Sequence, residues 1–137
     1  MVSKLGDIPA MNREFLEATM AVCALVAFAD KDVSGVELRE ISSSITRQRA
    51  FENFDLQMVK ARFDEYILKL RSDPKKTKTF LYAKACAFSG DSKKARALMQ
   101  LAYRISASDQ DVSDEERRVI QELCAKMNLD ADDIMRT

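Results

Sequence analysis

A chain of 137 residues with 47% apolar content has room for one domain, read as spanning residues 1–137, and enough apolar surface for a packed core. Lys and Arg number 22 and so do Asp and Glu, so the net charge is zero and no nucleic-acid partner is implied. The chain has no His, which excludes Cys/His zinc sites, His-based acid–base catalysis and Ser–His or Cys–His nucleophile pairs.

The first helix is predicted to start near Asp7, with Pro9 tolerated in its first turn, and to run to about Ala29. Nothing ahead of it reads as a signal peptide, because no apolar run follows Lys4. Its almost uncharged part, residues 18–29, is too short to cross a bilayer and suits a helix buried in a soluble core. A second helix starts at Ser34 and carries Leu38, Ile41 and Ile45 on one face. The third starts at Asp55, with Val59, Phe63, Tyr66, Ile67 and Leu70 at helical spacing. Asp73-Pro74 reads as an N-cap and first-turn proline opening a fourth helix that runs through Phe88 and ends at Gly90. Asp91 caps a fifth, Ser113 opens a sixth, Asn128 suits its C-terminal cap, and Asp130 caps a last short helix with Ile134 and Met135. Three Gly and two Pro are too few for a turn-rich β chain, and no useful stretch alternates with period two. The fold class is therefore all-α, a compact bundle of about seven helices. Cys23, Cys86 and Cys124 fall in apolar helical stretches with no CxxC, and read as buried reduced thiols.

Charge is unevenly placed. Residues 39–96 hold fourteen basic and seven acidic side chains, whereas residues 109–137 hold four basic and nine acidic. The middle is basic and the ends are acidic. The run Lys75-Lys76-Thr77-Lys78 reads as a solvated helix start.

The informative feature is an internal repeat. Asp30-Lys31-Asp32-Val33-Ser34-Gly35-Val36-Glu37-Leu38-Arg39-Glu40-Ile41 aligns without gaps to Asp109-Gln110-Asp111-Val112-Ser113-Asp114-Glu115-Glu116-Arg117-Arg118-Val119-Ile120, with seven of twelve positions identical. Each copy follows an apolar helix and precedes an amphipathic one, which suggests two related helical halves. Ser34 with Glu37, and Ser113 with Glu116, have the spacing of capping boxes, and Val33 and Val112 stand where hydrophobic staples would.

Capping does not account for Asp30, Asp32, Asp109 and Asp111. The first Asp of each pair is placed at a helix C-terminus, where the macrodipole is already negative and a cation is preferred. Two carboxylates about 5 Å apart repel by roughly 1–3 kcal/mol between the dielectric limits of water and protein surface. A bound hard cation reverses the sign of that cost, and oxygen ligands suit Ca²⁺ or Mg²⁺. An EF-hand is excluded, because the twelfth position that should be a bidentate Glu is Ile41 in one copy and Ile120 in the other. The candidate metal ligands are thus Asp30, Asp32, Asp109 and Asp111, with Glu37 and Glu116 serving as ligands or as caps. An acidic docking surface without metal is the competing reading of the same residues.

On these residues the chain resembles the TerB-like tellurite-resistance family. The likeness rests on Ala21-Val22-Cys23-Ala24-Leu25-Val26-Ala27-Phe28-Ala29 before the first acidic motif, on the second copy, and on the ending Asn128-Leu129-Asp130-Ala131-Asp132-Asp133-Ile134. It covers roughly residues 15–134. The family often has Gly after the first Asp–x pair, where this chain has Asp32 and Asp111. The resemblance implies a small helical cytoplasmic protein, duplicated about a pseudo-twofold, that binds metal through its acidic residues. It also implies work beside protein partners, including a membrane-associated complex, in responses to tellurite and related stress. The leading expectation is a non-enzymatic module that binds a divalent cation and docks onto a partner without itself spanning a membrane. Two alternatives stand. One is a metal-dependent enzyme using paired carboxylates, which lacks an activated nucleophile or a phosphate-binding glycine loop. The other is a small-molecule pocket lined by Met20, Phe28, Phe63, Tyr66, Phe80, Tyr82, Phe88 and Tyr103.

Overall fold

The computed structural model describes residues 12–30, 34–107 and 112–136. Among these residues the chain is mainly helical, with seven α-helices and no strand. The first helix, α1 (Arg13–Ala27), begins later than the sequence suggested: Asn12 is its N-cap and accepts from the Phe15 N–H at 2.8 Å. Asp7 and Pro9 lie outside the described residues. A side-chain oxygen one residue before a helical turn satisfies an orphan amide, and Asn12 is a strong residue for that purpose. The helix also ends before Ala29, because its last turn tightens into a 3₁₀ turn, Phe28–Asp30, with the Phe28 N–H shared between the carbonyls of Ala24 and Val26.

Twelve of the fifteen residues of α1 are buried, including every one from Ala18 to Ala27. A helix that is apolar all round has to be enclosed on all sides, and α3, α4, α5 and α6 supply the walls. Its one buried hydroxyl, on Thr19, donates back to the Phe15 carbonyl at 2.8 Å and so carries little desolvation penalty.

Around this axis the remaining elements run in chain order. Helix α2 (Gly35–Arg47) packs against α3 and α5. A 3₁₀ turn at Arg49–Phe51 then drops Phe51 into the core. Helix α3 (Leu56–Ser72), capped by Asp55, buries the stripe Val59, Phe63, Tyr66, Ile67 and Leu70. Asp73 ends α3 and opens α4 (Pro74–Ala85), its carboxylate accepting from the Lys76 N–H at 3.3 Å. The corner is tight because the Lys69 carbonyl receives both the Asp73 N–H at 2.9 Å and the Thr77 hydroxyl at 3.0 Å. Helix α4 stops at Ala85, short of the expected Phe88, and residues Cys86–Phe88 form a 3₁₀ turn. Gly90 follows without a left-handed backbone, so it is not the residue that terminates the helix.

Helix α5 (Ser92–Ser106) is capped by Asp91 and α6 (Asp114–Lys126) by Ser113. Asn128 adopts the expected left-handed conformation, with φ 61°. The Leu129 N–H reaches the Cys124 carbonyl at 2.8 Å and the Asn128 N–H reaches that of Ala125 at 3.2 Å, a Schellman closure. The short α7 (Ala131–Met135) anchors Ile134 against the core and packs on α5 and α6. The helix that follows each acidic tract packs on the other half of the chain: α2 lies against α5, and α6 against α1.

Candidate functional site

Each acidic tract leads into a helix whose start is fixed by the same four-residue device. Ser34 accepts from the Glu37 N–H at 3.0 Å, and Glu37 Oε1 accepts from the Ser34 N–H at 3.3 Å. In the second copy the Glu116 N–H donates to Ser113 Oγ at 3.2 Å, and Glu116 Oε1 accepts from the Ser113 N–H at 2.9 Å. Both capping boxes expected from the sequence are therefore formed. Val112 is buried just before the second one, but the fourth residue of α6 is Arg117, so no apolar staple partner stands there; Val33 lies outside the described residues. Asp114, Glu115 and Glu116 occupy the first turn of α6, where the helix dipole favours negative charge.

The six candidate ligands divide accordingly. Glu37 and Glu116 sit on separate helix starts and each is engaged by its own N-cap amide. For Asp30 the structure describes the backbone, which closes the 3₁₀ turn after α1. That turn packs against α6, the helix fed by the second tract, and the last turn of α1 holds no basic residue. Asp32, Asp109 and Asp111 lie outside the described residues. Among the described residues no three His, Cys, Asp or Glu side chains gather as a metal cluster.

The structure also draws together charges that the sequence pattern did not single out. Glu17, on α1, is mostly buried with its side chain 14% exposed. Lys84 from α4 contacts its Oε1 at 2.6 Å; Arg62 from α3 and Arg13 contact Oε2 at 3.3 and 3.6 Å. The Lys84 hydrogen bond holds the Glu17 carboxyl below the usual glutamate value against the opposing effect of burial, with the charges of Lys84, Arg62 and Arg13 adding to it. Arg62 also reaches Glu65 at 2.7 Å, and Lys69 reaches it at 3.1 Å. The available signal was an acid at the edge of the apolar stretch of α1, one turn from Met20 and Ala21. On the other side of α4, the Tyr82 hydroxyl donates to Glu122 at 2.7 Å and Lys126 stands 5.7 Å from the Tyr82 ring centre. Burial and that carboxylate both push the Tyr82 hydroxyl up.

The three thiols are free, and they are not alike. Cys23 and Cys124 are buried, as expected, and burial raises them to about 12 and about 11. Cys86 departs from expectation by being half-buried in the 3₁₀ turn after α4. Burial raises its thiol too, with the Lys126 ammonium pulling the other way. A raised thiol is a poor nucleophile at neutral pH, so none of the three is activated for chemistry. The residues considered for a pocket are mostly structural: Met20 and Phe63 are fully buried and Tyr66 nearly so. Phe28, Tyr82, Phe88 and Tyr103 pack partly buried against the core, while Phe80 is 47% exposed.

A small all-helical domain whose two acidic tracts each run into a Ser–Glu capping box is the class that fold and site define. The family model of the tellurite resistance protein TerB matches residues 16–137, and the chain belongs to that family. No curated protein and no solved structure matches the chain. Among the described residues no helix is long and apolar enough to cross a membrane.

Proposed function

We propose that this protein is a non-enzymatic, cytoplasmic module of the tellurite and related stress response that holds a divalent cation at its two acidic tracts and docks onto partner proteins. The partners include a membrane-associated complex. The observation that carries the cation reading is the matched pair of capping boxes. Ser and Glu in each repeat are used to start a helix, so the paired Asp residues are the part of the repeat that capping leaves without a role. Carboxylates two residues apart are a hard-oxygen donor set suited to Ca²⁺ or Mg²⁺; the helix end before the first tract lacks a basic residue, whereas α5 carries Arg104 before the second. Asp30, Asp32, Asp109 and Asp111 are the ligands in this reading, and Glu37 and Glu116 orient the tracts through their caps. The non-enzymatic reading rests on a sequence without His or a phosphate-binding glycine loop, and on thiols whose burial keeps them protonated.

Calorimetric titration of Ca²⁺, Mg²⁺ and Mn²⁺ into the wild type and into Asp32→Asn/Asp111→Asn tests it. A saturable heat in the wild type that is lost in the variant is the expected result. Equal, negligible heats in both proteins would remove the cation.

A further inference from the structure

We propose that the first two turns of α4 dock an acidic segment of a partner protein that carries two apolar side chains three or four residues apart. This names the partner chemistry for the docking half of the proposed function and does not depend on the cation half. Lys75, Lys76 and Lys78 stand here, and among the described residues none of them has a carboxylate within ion-pair distance. Their neighbours Lys69 and Lys84 are by contrast already tied to Glu65 and Glu17. Asp73 is the one acid at this helix start, and its carboxylate is occupied by the Lys76 N–H. The positive end of the α4 dipole adds to the same surplus.

Two hollows meet at Lys75 on this helix start. One hollow, of about 400 Å³, is lined by Phe28, Pro74, Lys75 and Lys78. The other, of about 500 Å³, is lined by Asp73, Lys75, Lys76, Thr79 and Phe80. Lys75 borders both. Each hollow thus offers an aromatic wall beside ammonium groups, which asks for an apolar side chain flanked by carboxylates. The Phe80 wall is held in place before any partner arrives. Its ring meets Tyr66 edge-on, with centres 6.3 Å apart, and Lys84 stands 5.7 Å from its centre while bonded to Glu17. A fixed wall reduces the ordering cost of binding. Two hollows that share Lys75 lie within about one helix width, ~10 Å, which an extended chain spans in about three to four residues at roughly 3.3 Å each. That sets the spacing of the two apolar anchors. A charge-complementary flat surface would use the lysines and leave both hollows idle.

The full chain is panned against a displayed library of random dodecapeptides, and the selected sequences are synthesised for fluorescence anisotropy. Enrichment of Asp and Glu around two apolar residues three or four apart is expected. Binding should fall about tenfold or more in Lys75→Glu/Lys76→Glu/Lys78→Glu, and severalfold as salt shortens the reach of the charges. Phe80→Ala should weaken binding even if the triple variant folds poorly, and Lys60→Glu/Lys93→Glu should leave it unchanged. Absence of enrichment, selection of neutral or basic peptides, or binding indifferent to Lys75, Lys76, Lys78 and Phe80 would overturn the proposal. So would binding to phosphatidylcholine–phosphatidylglycerol vesicles, lost in the triple variant, with no peptide selected. Peptide binding that persists in a protein giving no heat with Ca²⁺, Mg²⁺ or Mn²⁺ would support it while retiring the cation reading alone.

Discussion

Replacing Glu17 by Gln keeps the shape of the side chain and removes the one charge that three cations share. Lys84 and Arg13 would then lose their counter-ion at the junction of α1, α3 and α4, while Arg62 would keep Glu65 alone. Exposed ion pairs contribute little, about 0.2–1 kcal/mol, whereas breaking a fully buried pair costs about 3–5 kcal/mol. Glu17 is 14% exposed and its two nearer partners are 32% and 24% exposed, so the site falls between these limits. A loss of about 2 kcal/mol follows, which at a urea slope of about 1.5 kcal/mol/M moves the midpoint down by roughly 1.3 M. The pH dependence gives the sharper test. Because the folded carboxyl lies below the ordinary value of 4.5, its contribution is fully present above that value and is lost as the pH falls through the folded value. Urea melts of wild type and Glu17→Gln should therefore differ most near neutrality and converge in acid below the ordinary glutamate range. A difference that stays constant across that range, or that is negligible at pH 7, would refute the assignment.

The two capping boxes should behave as independent units. Ser34→Ala and Ser113→Ala are each expected to cost about 1 kcal/mol in a urea melt, with the double variant close to the sum; a deficit below a few tenths in both would deny the caps their role. The thiols offer a second check. Cys86 should react with a thiol-specific disulfide reagent in the native protein, slowly for want of thiolate, while Cys23 and Cys124 should wait for denaturant. Three equivalents reacting together without denaturant would contradict the burial of α1 and α6.

Helix identity was legible because local chemistry and burial agree over most of this chain. The stripe on α3, the Asp73-Pro74 corner, the Ser–Glu boxes and the Asn128 closure all depend on neighbours within four or five residues. The misjudged ends share a cause. Phe28 and residues 86–88 continue the apolar pattern of the helices before them, but the chain there tightens into 3₁₀ turns that periodicity does not distinguish from another α turn. Asn12 was passed over because Asp7-x-Pro9 offers a stronger start signal on its own. The Glu17 cluster was out of reach for a different reason. Its members are drawn from α1, α3 and α4, with Glu17 and Lys84 67 residues apart, and no spacing rule joins them. Of the candidate site, the caps on Glu37 and Glu116 were readable from spacing, whereas Lys75 and Phe28 line one hollow only because the fold brings residues 46 or more positions apart to the same surface.

The central position of α1 has a consequence for biosynthesis. As the chain leaves the ribosome this segment emerges ahead of α3, α4, α5 and α6, the helices that enclose it. Until residues near 120 have been made, a stretch of ten apolar or neutral residues has no complete shelter from water. Nascent chains in that condition are prone to aggregate. Synthesis of this protein therefore has a long interval in which its most insoluble part depends on speed or on a chaperone.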